Sequence, residues 1–146
     1  MTPPESTYVQ TGATEYFPAI SRKGIATVAL SNVWPGSDIT IMGKFDRDDV
    51  NTRTLLTLSL SNSNFEITEA ALTGTYAGSV CSISDDKQTV TFTGITSNSK
   101  VTTKFNITIH NNSASYTQSC DVTLATTTYA TVAKNAVYIV YYTSQG

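Results

Sequence analysis

The sequence predicts a single all-β domain built as a two-sheet β-sandwich of the Ig-like, Greek-key or jelly-roll kind. Apolar and polar residues alternate with a period of two through most of the chain. These segments are rich in β-branched and aromatic residues, and Gly, Asn, Asp or Ser interrupts them roughly every eight to twelve positions. The 146 residues suffice for one domain with a core, but not for two domains of ordinary size.

The first 21 residues are predicted to form an extended N-terminal arm. The arm has short strand patterns at Tyr8–Gln10 and Tyr16–Phe17 but no core pattern of its own. A single sandwich domain is expected at 22–146. The arm lacks the cationic start and apolar run of a secretory signal, so we expect either a native cytosolic start or a leader already removed.

The remaining strands follow from alternation bounded by turn residues. Leu56, Leu58 and Leu60 share one face, and Asp85–Lys87 forms the turn of a hairpin. Only 64–72 has any helical periodicity. The predicted strands are Ile25–Ser31, Asp38–Phe45, Thr54–Leu60, one opened by Phe65 and Ile67 and continued by Ala71–Tyr76, Ser79–Ser84, Gln88–Thr93, Val101–Ile109, Tyr116–Leu124 and Ala136–Tyr142.

The last predicted strand is apolar on both faces. Such a strand is either central between two covered faces or pressed against a partner subunit. An extended arm can also reach a neighbouring subunit and add a strand to its edge. The sequence therefore predicts an assembly interface made by Tyr8, Val9, Tyr16, Phe17, Tyr138, Val140 and Tyr142.

Composition excludes several classes of protein. Charged residues are 14% of the chain, and nine Lys+Arg against eleven Asp+Glu give a net charge of -2, so no basic stripe for nucleic acid is present. No apolar run approaches the roughly 18 residues of a membrane span. The 26 Thr and 16 Ser predict a surface of hydroxyl groups, and we expect neither a nucleic-acid nor a membrane partner.

Few residues have the chemistry of a catalytic or metal site. His110 is the single histidine and has no G-x-S-x-G elbow to serve. The acidic group Asp38, Asp46, Asp48 and Asp49 is better explained as a solvated turn than as a Ca²⁺ loop, because it lacks the Gly and terminal Glu of an EF-hand. We expect no catalytic residue, no metal and no cofactor.

Cys81 and Cys120 both fall on inward positions of their strands. Two hypotheses stay open for them. In an oxidising compartment they would form an intersheet disulfide, and otherwise both would be small buried thiols.

Without catalytic chemistry, the arm and the apolar last strand favour assembly. The first hypothesis is a non-enzymatic structural protein of a virion, such as a phage capsid decoration, head-fibre or tail component, whose partners are other protein subunits. The alternative is an extracellular or cell-surface adhesin, pilin or carbohydrate-binding module. That alternative predicts surface glycans as ligands, bound near Trp34, Tyr76 and Tyr116.

Overall fold

The computed structural model describes residues 8–10, 15–30, 35–47, 53–73, 80–94, 101–113 and 119–144. These residues form twelve β-strands and no helix, which confirms the all-β prediction. The strands are β1 (Tyr8–Gln10), β2 (Glu15–Tyr16), β3 (Ile25–Leu30), β4 (Asp38–Arg47), β5 (Arg53–Leu60), β6 (Phe65–Thr73), β7 (Val80–Ile83), β8 (Thr89–Gly94), β9 (Val101–Asn111), β10 (Cys120–Thr126), β11 (Ala130–Thr131) and β12 (Val137–Ser144).

The strands form two antiparallel sheets that pack face to face as a sandwich. The seven-stranded sheet has the order β1-β12-β4-β9-β6, with β2 beside β12 and β11 beside β4. The five-stranded sheet has the order β3-β10-β5-β8-β7. In both sheets alternate residues point into the space between them, so the period-two pattern of the sequence becomes one buried face per sheet.

The topology is that of a jelly roll. Four antiparallel pairs are nested along the chain: β2 with β12, β3 with β10, β4 with β9, and β5 with β8. Successive pairs alternate between the two sheets, which is how a folded ribbon of strands wraps into two Greek keys. The consecutive strands β6 and β7 add one further strand to each sheet at the same side. Of the three sandwich types that the sequence allowed, the structure selects the jelly roll.

Two elements differ from the prediction. Residues 64–72 are not helical, because β6 runs through them as a strand with a register shift between Ile67 and Glu69. That β-bulge breaks the strict alternation and explains the weak helical signal. The two-residue strand β11 was not predicted, since a pair of residues carries no period.

The core lies between the sheets and contains an aromatic cluster. Phe45 and Phe105 of the seven-stranded sheet meet Phe92 of the five-stranded sheet, with ring centroids 5.1 to 6.0 Å apart. All three rings are at most 3% exposed. Tilted rings at this spacing gain about 0.5–1.5 kcal/mol per pair beyond the burial of their area. The cluster therefore fixes the two sheets against each other.

Gly43 permits a close approach between β4 and the chain entering β12. A Cβ atom at Gly43 would lie 2.3 Å from the carbonyl oxygen of Ala136 and 2.7 Å from the Cα of Val137. The Lys44 amide donates to that same Ala136 carbonyl at 3.2 Å. Because two backbones meet there, no side chain can move aside to make room.

We expect Gly43→Ala to lower the free energy of unfolding by about 2–4 kcal/mol, since the clash is with backbone atoms. Gly36→Ala is the matched control: Gly36 has a φ of +73° but open space around its Cβ position. Its cost is backbone strain alone, about 1–2 kcal/mol. Urea unfolding of both variants measures the difference, and equal costs would contradict the close approach.

Candidate functional site

The described strands of the N-terminal segment pair with the last strand of the same chain. β1 pairs with residues 142–144 of β12, and β2 pairs with Tyr138 and Ile139 of the same strand. The Phe17 amide donates to the Val137 carbonyl at 2.9 Å. β12 is therefore an interior strand of the seven-stranded sheet, with β4 on its other side. β12 thus has a strand on each side within its sheet, while its outer face is only partly covered at Tyr138.

The predicted interface residues divide between the core and the surface. Phe17 is 0% exposed and belongs to the core together with Ile20, so Phe17 was wrongly placed in an interface. The core thus extends into the segment that the sequence assigned to the arm. Val140 is on the outer face but only 6% exposed. The structure does not describe the side chains of Tyr8, Val9 and Tyr142, although their backbones lie in β1 and β12.

Tyr16 and Tyr138 remain accessible on the outer face of the seven-stranded sheet. Their rings lie 5.9 Å apart, and Tyr16 is 52% exposed. Tyr138 also lines an open groove of about 500 Å³ with Met42, Lys44, Lys104 and others. Lys44 and Lys104 are directly paired across β4 and β9, so two cations face each other there. Like charges opposite each other in a sheet oppose folding, and an anionic ligand would offset their repulsion.

A second surface, absent from the sequence predictions, is the free edge of β3. β3 is the outermost strand of the five-stranded sheet and pairs on one side with β10. Along it Ile25, Thr27 and Ala29 are exposed, and Ile25 is 72% exposed. Among the described residues no strand pairs with its other side. The sequence pattern predicts this strand but does not predict that it lies at the edge of a sheet.

β3 lacks the devices by which proteins protect sheet edges. Such devices are charged residues, proline, a bulge or a very short strand. β3 has six residues, IATVAL, with no charge, no proline and an unbroken register to β10. An apolar edge of this kind is a template for pairing with another strand.

The other described edges are protected. β6 carries Glu66 and Glu69 and a bulge, and β7 is only four residues long. β7 also contacts β6, since the Cys81 thiol donates a hydrogen bond to the Ala70 carbonyl at 3.1 Å. At the remaining edge, β1 and β2 are three and two residues long, and β2 contains Glu15. Within the described part of the chain, β3 is therefore the edge most open to a partner.

His110 is held in a charged row on the outer face of the seven-stranded sheet. Its Nδ1 lies 2.7 Å from Oδ1 of Asp38 on β4, and Glu66 is its partner on β6. Glu66 in turn accepts a hydrogen bond from the side-chain Nδ2 of Asn112 and lies 3.9 Å from Nζ of Lys87. The carboxylate orients the imidazole.

The acidic residues do not converge on a metal site within the described ranges. Asp38 and Asp46 stand at opposite ends of β4, while Asp48 and Asp49 lie outside the described residues. Where the structure is described, no group of three or more His, Cys, Asp or Glu side chains is arranged so that it could hold a metal ion. Trp34, Tyr76 and Tyr116, the candidate glycan ligands, also lie outside the described residues.

Cys81 and Cys120 are both free thiols and lie far apart. They belong to β7 and β10 of the same sheet, with β8 and β5 between them. The register aligns Cys81 with Phe92, Leu56 and Thr126 in turn, which is six residues along β10 from Cys120. The separation is about 14 Å across the sheet and about 20 Å along it. A disulfide needs Cα atoms within about 7 Å, so the structure is incompatible with the intersheet bond.

In comparisons with known proteins, no family model, no curated protein and no solved structure matches this chain. No helix in the described part of the chain is long and apolar enough to cross a membrane.

We expect both cysteines to remain thiols. After denaturation without reductant, a thiol reagent should count two thiols per chain. In the native chain both should react slowly near pH 8, because burial raises the pKa of Cys81 and of Cys120 and so lowers the thiolate fraction. Cys120, only 1% exposed, should be the slower of the two. A count of zero in the denatured, unreduced chain would contradict the sheet order.

Proposed function

We propose that the chain is a non-enzymatic structural protein that assembles into, or decorates, a larger particle through its sheet edge. The observation that carries this proposal is the unprotected edge of β3, where Ile25 is 72% exposed. The main-chain N–H and C=O groups of an open sheet edge can pair with another strand. Exposed apolar side chains on the edge strand favour the same association.

A phage virion is the particle that we favour, as a capsid decoration, head-fibre or tail component. Support comes from three properties: the jelly-roll topology, the hydroxyl-rich composition and the open edge. Jelly rolls recur in viral capsid domains, which is an analogy of fold and not of site. The partners would be further protein subunits, and no catalytic residue enters the account.

A second candidate function, a glycan-binding module at a cell surface, is favoured by the groove beside Tyr138. An aromatic ring can stack on a sugar, while Lys44, Lys104 and Asn106 supply cations and an amide for hydrogen bonds. The facing lysines favour an acidic glycan. Lectin domains also use the jelly roll, so the fold does not separate the two proposals.

Sedimentation of the native chain from its source material tests the assembly proposal. We expect the chain to travel with a complex much heavier than one chain. Ile25→Lys, which places a charge on the β3 edge, should reduce its incorporation about tenfold. Ile83→Lys is the matched control, because Ile83 is an exposed isoleucine on the protected strand β7.

A chain that sediments alone would overturn assembly and leave the glycan-binding alternative. Equal losses for the two lysine variants would show that the β3 edge is not the surface involved.

A further inference from the structure

The main-chain groups on the free edge of β3 are fixed by its pairing with β10. The Thr126 amide donates to the Gly24 carbonyl at 2.9 Å, and the same register continues along the strand. Along a strand of an antiparallel pair, the main-chain N–H and C=O groups of alternate residues bond to the partner strand, and those of the residues between them point to the opposite side. Residues 26, 28 and 30 therefore bond to β10, while Ile25, Thr27 and Ala29 direct their N–H and C=O groups outward.

These outward groups are symmetric about Thr27. If a second β3 lies antiparallel beside the first, Thr27 faces its own counterpart and Ile25 faces Ala29 at both ends. Each of the three pairs then exchanges two main-chain hydrogen bonds. A shift of one residue would pair outward groups with inward ones, and a shift of two would leave one outward residue in each strand without its full partner.

The side chains agree with this register. Ile25, 72% exposed, comes to lie opposite the small side chain of Ala29. Ala26 and Val28, which pack against the core, come opposite each other and extend the buried layer across the contact. Since β3 carries no charge, the pairing brings no like charges together.

We infer that β3 pairs with β3 of a second copy of this chain, antiparallel and centred on Thr27, so that two five-stranded sheets become one continuous sheet. This inference rests on the proposed assembly function and names the partner at that edge. The contact is two-fold, so the same patch serves both copies. Because the edge is only about 20 Å long, the contact is smaller than a standard interface and is expected to be weak in dilute solution.

Cysteine trapping tests the pairing in the full-length chain. In the inferred register the Cα atoms of the two Thr27 residues are about 5.5 Å apart, within the range of a disulfide. Thr27→Cys should therefore give disulfide-linked dimers under a mild oxidant. Ser82→Cys is the matched control, an exposed serine on the edge strand β7, and it should stay monomeric. Circular dichroism checks that both variants fold.

Mixing experiments test the register. Chains carrying Ile25→Cys should crosslink with chains carrying Ala29→Cys and far less with themselves. Adding Ala29→Pro to the Thr27→Cys chain removes an outward N–H without breaking a bond to β10, and it should lower the dimer yield about tenfold.

Each outcome decides. Dimers at Thr27 with the mixed Ile25–Ala29 crosslink support the inference. A chain that sediments in a large complex but gives no Thr27 crosslink would overturn the inference and leave the proposed function standing on another surface. A chain that neither sediments in a complex nor crosslinks would overturn both.

Discussion

The contact between the two sheets is the interaction on which the rest of the structure depends. Phe45, Phe92 and Phe105 meet across the sandwich, and around them each sheet contributes one apolar face. Burial of these faces is the dominant favourable term, and it fixes which side of every strand points inward. The outer faces are then free to be polar, and Thr, which is both polar and β-branched, suits the exposed face of a strand.

Packing two sheets face to face buries their apolar faces but leaves each sheet with two edge strands. These edges differ in how well they are covered. At one side β6 and β7 extend the two sheets and are joined by a hydrogen bond between them. At the other side the N-terminal strands cover β12, while β3 remains open. Phe17 and Ile20 tie residues 15–20 to the core. In the described part of the chain, β3 is the edge that the proposed assembly uses.

Much of the fold could be predicted because alternation reports which face of a strand is buried. The inward positions of Cys81 and Cys120 were correct for this reason. Alternation does not report which strands are neighbours, because the same pattern of buried and exposed residues is compatible with many strand orders. The disulfide hypothesis depended on that missing order, and so did the open edge of β3. Phe17 was misplaced because one aromatic residue in a short segment has no period to show which way it points.

Amide hydrogen exchange along β3 tests the central claim, an open edge that closes on assembly, most directly. In the dilute chain the account predicts fast exchange at Ile25, Thr27 and Ala29 and slow exchange at Ala26, Val28 and Leu30. In the assembled state the first three should become as protected as the others. Uniform protection in the dilute chain, or an alternation that survives assembly unchanged, would contradict it.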